Sequence, residues 1–283
     1  MNGIEIALGF LMAFTIAWVS WHEFRLDRLE RRTKDTFSQA QKIINRKRAE
    51  NEKYELTDIT KTENIFGIPV TLHRIRALRD FGDVKAGDLG GWVEREDNLS
   101  QDGECWVYDE GMVRDNGVVL DNGVVAGNGK VSGNGVVSGN GVVCDYGVVS
   151  GNGWVCGRGV VQNHGVVSDY GIVCDYSVVS GNGMVCGNGM VSGNGRVSGN
   201  CVISGDGEIF KPEQVLTVGP IGSRNDYTTF YRAKDSRIWV TCGCFCGSLE
   251  DFARKVEETH GDTKYGITYK QAIDLARSQI ELC

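Results

Sequence analysis

A valine or isoleucine falls at every sixth residue from Val107 through Val113, Val119 and Val125 to Ile203 and Ile209, with no position missed. Two residues before each stands something very small: glycine in fifteen of the eighteen hexads, and Cys105, Ser177 or Cys201 in the others. In an extended strand, residues two apart face the same side, so the small residue and the valine share one face, and that face is the inside. The residues that follow, most often Gly-Asn or Asp-Asn, tolerate unusual backbone angles and suit a tight corner. A short strand and a corner therefore alternate. With three sides per turn the eighteen hexads make six triangular coils. Each coil hydrogen-bonds to the next, and the stack rises roughly 29 Å at about 4.8 Å per coil. Residues eighteen apart are expected to stack.

The repeat resembles that of the hexapeptide-repeat left-handed β-helix superfamily, which includes trimeric acyltransferases and places an aliphatic residue at one position and a small one four later. It is most similar to uncharacterised bacterial and prophage members. The likeness covers about residues 54–209, including the lead-in Leu72-His73-Arg74-Ile75-Arg76-Ala77-Leu78-Arg79-Asp80-Phe81-Gly82-Asp83-Val84 and Leu89-Gly90-Gly91-Trp92-Val93. Two departures stand out. The small site is mainly Gly where the superfamily has Ala, Ser, Thr or Val, and the turn Gly falls one position later. The left hand is what the resemblance implies; the period alone also permits a right-handed, bactofilin-like helix that forms polymers.

The expected fold class is mainly β: a single-stranded left-handed β-helix of six triangular coils, preceded by a transmembrane helix and stalk and followed by a small α+β domain. The expected divisions are an anchor at 1–21, a helical stalk at 22–53, a cap at 54–103, the β-helix at 104–210 and a C-terminal module at 211–283. Residues 4–21 carry one charge, Glu5, and are long enough to span a membrane. A signal peptide would want positive charge ahead of the apolar run; here Arg25, Arg28, Arg31, Arg32 and Lys34 follow it instead. That order predicts a single pass with the amino terminus outside and the bulk of the chain in the cytoplasm. An apolar helix buried in an oligomer is the alternative. Leu26, Leu29, Thr33, Thr36, Ala40 and Ile43 fall at heptad-like intervals, consistent with a short coiled coil or a solvated stalk.

Residues 54–103 read as short strands and turns: 54–56, a turn around Gly67, then 70–78. Val93 and Leu99 are six apart and Val107 follows after eight, so the solenoid opens with one irregular coil. A solenoid end exposes unpaired strand edge, and this block is its natural cap. His73 beside Arg74, Arg76 and Arg79 is weighed as an anion site, but strand alternation puts His73 with Ile75 and Ala77, opposite the arginines.

The residues just before each inward valine are mostly apolar, among them Trp106, Met112, Val136, Trp154, Ile172 and Met190. Stacked, they form apolar stripes on all three sides, and burial against further copies accounts for them. Trimers are what the superfamily resemblance implies. Chemical variety is confined to corners. Tyr146 and His164 stack in one column, Arg158 and Tyr176 in another, and Tyr170 lies in the third; they are candidates for a ligand or partner site, against simple drift at tolerant corners. Cys156 and Cys174 also stack, within disulfide reach, and are expected as free thiols in a reducing compartment.

In the C-terminal module, strands are expected at 215–218, 227–232 and 237–241. A helix from 248 to about 260, stopped by Gly261, and a second at about 268–282 complete a βββαα arrangement. It resembles small domains of uncharacterised phage proteins through Gly219-Pro220-Ile221-Gly222-Ser223-Arg224-Asn225-Asp226 and Gly243-Cys244-Phe245, a likeness that transfers no activity; Arg224 and Asp226 are candidate ligand- or partner-binding residues. Cys242, Cys244 and Cys246 with His260 are the candidate zinc ligands.

A net charge of −7, and ten acidic against four basic side chains within 104–209, exclude a phosphate-tracking surface and hence general nucleic-acid binding. The recurrent Gly-Asn-Gly opens no helix, so it is not a phosphate loop. The resembled acyltransferases use an interfacial histidine and a loop projecting from a coil, whereas this repeat runs without insertion and carries only His164. The reading from sequence is thus a scaffold or binding protein with no cofactor, engaging an unidentified protein or small molecule, with an acyltransferase-like enzyme as the alternative.

Overall fold

The computed structural model describes residues 33–39, 52–65 and 67–282. The chain divides into two compact units, Met1–Glu52 and Lys53–Cys283. In the first, residues 33–39 form a helix, α1, with its side chains exposed. The span expected at 4–21, and the rest of the stalk, lie outside the described residues. Among the described residues no helix is long and apolar enough to cross a membrane.

In the second unit, β1 (Tyr54–Ile65) and β2 (Ile68–Ala77) form an antiparallel hairpin, and β2 pairs antiparallel with β3 (Leu89–Val93). Eighteen two-residue strands follow, from β4 (Trp106–Val107) to β21 (Glu208–Ile209), one for each hexad. They make three parallel sheets, because every strand pairs with the third one after it: Val143 with Val161, Val149 with Val167, Val155 with Val173. The eighteen-residue stacking expected from the period is the observed register. β3 adds a strand ahead of the regular coils, and Leu99 bridges Val119, so the solenoid has about seven turns rather than six.

The repeated valines have no solvent exposure. Each such burial stabilises the fold by roughly 1.5–3 kcal/mol relative to exposure. Between coils the backbone is satisfied by ladders such as Val148 N–H to the Gly165 carbonyl and Ser150 N–H to that of Val167, both 2.9 Å. The bias to glycine at the small site has a steric cause. A Cβ on Gly147 would lie 2.6 Å from the Val161 carbonyl oxygen of the next coil. Ser177 keeps its side chain there because its hydroxyl reaches the carbonyls of Cys174 and Val191, at 2.6 and 3.0 Å. At the corners the first residue is left-handed, as in Asp145 (φ 55°) and Asp169 (φ 54°). Asparagines at the next position stack in the expected ladders, with Asn116 bonded to Asn134 and Asn134 to Asn152.

Both ends of the solenoid are closed. At the start, β2 runs along the edge of β3, and Trp106 is buried beneath Phe81 and Tyr54, with ring centroids 5.3 and 6.1 Å apart. β1 is far longer than the three residues expected; its polar sequence pairs with β2 rather than filling the core. At the other end stands an antiparallel sheet of β22 (Val215–Ile221), β23 (Asp226–Arg232), β24 (Ile238–Cys242) and β25 (Phe245–Ser248). One face of it closes the last coil through Tyr231, which belongs to the valine core, and through Trp239. The other face, with Phe230 and Val240, packs under α2 (Leu249–His260) and α3 (Lys264–Gln279). Alternation along β23 sends neighbouring aromatic rings to two different cores. The arrangement is ββββαα, one strand more than expected. Ser248 caps α2 by accepting from the Asp251 N–H at 3.1 Å, and Gly261 ends it. α3 starts at Lys264, earlier than expected, because Thr263 caps it.

Candidate functional site

The corner candidates do not converge. Tyr146 follows the strand Val142–Val143, Tyr170 follows Val166–Val167 and Tyr176 follows Ile172–Val173. Those three strands belong to three different sheets, so the tyrosines occupy three different edges of the solenoid. His164 stacks on Tyr146 at 5.1 Å and 16°, and the Arg158 guanidinium lies 5.3 Å from the Tyr176 ring centre. Tyr170 is 63% exposed. The carboxylates before the tyrosines are engaged by backbone: Asp145 accepts from Asn163 N–H at 3.2 Å, Asp169 from Gly187 at 3.2 Å, and Asp175 from Gly193 at 3.1 Å. Tyr146 with His164 and Arg158 with Tyr176 are therefore pairs on separate edges, and Tyr170 lies on a third.

The arginines of β2 are also taken up by carboxylates. Arg74 binds Glu110 at 2.9 Å and lies against Trp92, Arg76 binds Glu55, and the His73 ring contacts the Thr57 carbonyl. A groove of about 510 Å³ runs beside the bulge of β1, lined by Glu55, Thr57, Arg76 and Leu89.

The four proposed zinc ligands are not brought together, and among the described residues no cluster of three or more metal-binding side chains occurs. Gly243 (φ 58°) turns the chain back between β24 and β25, so Cys246 pairs with Thr241 while Cys242 pairs with Phe245. Cross-strand partners share a face, which leaves Cys242 and Cys246 on opposite faces. Cys242 Sγ lies 3.2 Å from Thr228 Oγ1, Cys246 Sγ lies 3.1 Å from Ser204 Oγ of the solenoid, and Cys244 is exposed in the turn.

What does assemble is a site around Tyr269, and it gathers residues singled out separately in the sequence. The Tyr269 hydroxyl lies 3.8 Å from Cys242 Sγ. His260 stacks on the Tyr269 ring at 5.6 Å and 27°, and Phe252 meets its edge at 5.6 Å. Burial, then the Cys242 thiol and Asp226, push the Tyr269 hydroxyl up to about 12, with Arg224 opposing. Two glycines let the loops close over it. A Cβ on Gly222 (φ 74°) would fall 1.9 Å from the Tyr269 hydroxyl, and one on Gly243 would lie 3.3 Å from Arg224 Nη1. Beneath lies a cavity of about 120 Å³ walled by Phe245, Phe252, Cys242, Tyr269 and His260, with Lys255 at its rim above the Phe245 ring. Its walls are aromatic and its polar atoms few, which suits binding of a small planar or aliphatic group. Among the described residues His260 has no hydrogen bond to the thiol or the phenol, so no base stands ready to activate either. Phe252 and Lys255 carried no sequence signal, and Phe245 stood out only within Gly243-Cys244-Phe245, not as a site residue, because only the packing of α2 on the hairpin brings the three together.

The fold defines a β-solenoid protein built on a six-residue repeat, closed at one end by a sheet-and-helix module that holds a small aromatic pocket. No protein-family model matches the chain. It is similar to a protein named uncharacterized acetyltransferase YdcK, from Escherichia coli (strain K12), with 50% identity over 44 residues. That match covers 16% of this chain and 14% of the relative, far less than two thirds of the relative's length.

Proposed function

We propose that this chain is a non-enzymatic scaffold or binding protein, in which the β-solenoid is a rigid support and the Tyr269 pocket of the C-terminal module is the recognition site. The observation that carries this reading is the contrast between the two parts. The coils run without a projecting loop and their candidate residues sit on separate edges, whereas the module holds a walled cavity with a thiol, a phenol and an imidazole around it. The module is docked on the last coil, so it is read as a cap that also binds, rather than as a free arm. Closure of both ends supports a discrete particle over a bactofilin-like polymer, which needs open strand edges.

In the same reading the coils are left-handed and three copies associate through the apolar stripes. Residues 4–21 tether the chain to a membrane with its bulk in the cytoplasm, and the origin is phage or prophage, as the resemblance implies. Sedimentation of the full chain tests the trimer, which a monomer overturns, and membrane fractionation of cells expressing it tests the tether, which a chain wholly in the soluble fraction overturns.

A second reading, an acyltransferase-like enzyme, is favoured by the similarity over 44 residues to a protein of acetyltransferase name. Calorimetric titration with acetyl-CoA separates the two. The scaffold reading expects no binding. The enzyme reading expects binding and a turnover that His164→Ala removes.

A further inference from the structure

Where the β1–β2 hairpin meets the first coil, a lysine and a cysteine are shut in together. Lys53 and Cys105 both have no solvent exposure. The Lys53 nitrogen lies 3.1 Å from Cys105 Sγ, 2.9 Å from the Cys105 carbonyl and 3.3 Å from the Asp102 carbonyl, with the Phe81 ring centre 5.2 Å away. Burial holds the Lys53 amine below the usual lysine range and lifts the Cys105 thiol, each effect opposed by the attraction between the two groups. The amine is therefore a better nucleophile than a surface lysine, and it is already seated against sulfur. The other groups at the thiol are the carbonyls of Ser100 and Asp102, at 3.5 and 3.7 Å, which do not attack sulfur.

We propose that Lys53 and Cys105 form an oxidative modification site, at which a peroxide converts the Cys105 thiol to a sulfenic acid and the Lys53 amine then closes a nitrogen–sulfur bond. In the first step the Lys53 amine, 3.1 Å away, takes the thiol proton, and the sulfur gives two electrons to the peroxide O–O bond, which breaks. One OH stays on sulfur as S–OH, and the other leaves as hydroxide, which takes the proton back from Lys53 to depart as water and leaves the amine neutral. In the second, the amine lone pair attacks sulfur, the S–O bond breaks, and the hydroxyl leaves as water with one amine proton. The pair has lost two hydrogens. Two equivalents of a small thiol reverse the step, restoring amine and thiol and leaving a disulfide of the reductant. Asp102, Gly103 and Glu104, immediately before Cys105, are exposed, so opening of this bend is the step that admits a peroxide to the buried sulfur. The bond ties the residue at which the second compact unit begins to the first coil of the solenoid.

The test is peptide mass spectrometry of the full chain after hydrogen peroxide, digested without reductant. The expected product joins the peptides containing Lys53 and Cys105, weighs about 2 Da less than their sum, and disappears with dithiothreitol. Lys53→Arg keeps a cation but removes the amine, and the linked peptide should be lost from it. Three results would overturn the proposal: a Cys105 gaining about 32 Da as the sulfinic acid with no link, a Cys105 unchanged when exposed Cys244 is fully oxidised, or a link that retains an oxygen between nitrogen and sulfur. The wild-type spectrum is decisive by itself, so the folding of the variant does not limit the test.

Discussion

Val93 pairs with Val113, twenty residues on, whereas Val113 pairs with Val131, eighteen on. The two additional residues lie between Leu99 and Val107, in the exposed bend at Gly103. The first coil is looped out there so that Cys105 and Trp106 can turn inward beneath the hairpin.

Gly103 and Gly199 both have left-handed backbone, φ 69° and 65°, but differ in their surroundings. A Cβ on Gly103 would lie 2.1 Å from the Asp121 carbonyl oxygen, while nothing lies within 4 Å of one on Gly199. Gly199→Ala is expected to cost about 1 kcal/mol, the left-handed penalty alone. Gly103→Ala should cost about 2–4 kcal/mol, since backbone must also move. Urea unfolding of the two variants checks the difference.

Asp145 combines a left-handed φ of 55° with a carboxylate that accepts from Asn163 N–H at 3.2 Å. Asp145→Ala loses both the bond and the conformational tolerance, at about 2 kcal/mol. Asp145→Gly loses only the bond and should cost less than half as much. Thermal midpoints in the order wild type, glycine, alanine are the expected result.

The module is held on the last coil by the Arg232 guanidinium, 2.6 Å from the Glu208 carboxylate, with side-chain exposures of 12% and 19%. Val202 N–H also donates to Thr229 Oγ1 at 3.1 Å. Arg232→Ala leaves Glu208 largely buried and without its cation, a loss of about 2 kcal/mol. Hydrogen exchange should accelerate in residues 215–242 while the amides of the middle coils keep their protection.

Burial pushes the Cys201 thiol up to about 11. The unfolded chain releases this proton near pH 9 and the folded one holds it, so above pH 9 the unfolded state binds fewer protons and stability falls as pH rises. The loss develops between about pH 9 and pH 11. Urea midpoints should be flat from about pH 7 to about pH 8.5 and drop beyond. Cys201→Ala should make the alkaline limb shallower without abolishing it, since Cys174 is also pushed up to about 11 by burial and contributes with the same sign.

The coils were legible in the sequence because a short strand and a corner repeat locally, and a one-residue slip would turn every valine outward. Even the irregular first coil could be read from Val93, Leu99 and Val107. The length of β1 could not, since Thr57, Lys61 and Glu63 give no apolar alternation and are held by the hairpin with β2. Cys242-Gly-Cys244-Phe-Cys246 misled for a definite reason: one glycine in the left-handed region converts a single strand into a hairpin and reverses the facing of the last thiol. The Tyr269 site was half visible. Arg224, Asp226, Cys242 and His260 stood out as residue types, but the ring they surround sits on α3 and reaches them only through tertiary packing.

Recognition, as proposed, resides in the Tyr269 pocket and not on the coils. The direct measurement is capture of small molecules and peptides from a cell extract on the full chain, compared quantitatively by mass spectrometry among wild type, Lys255→Ala with His260→Ala, and His164→Ala. The account predicts a bound species that falls at least tenfold in the double variant and is unchanged in His164→Ala. Enrichment of an acyl-CoA that depends on His164 and ignores the pocket variant would contradict it.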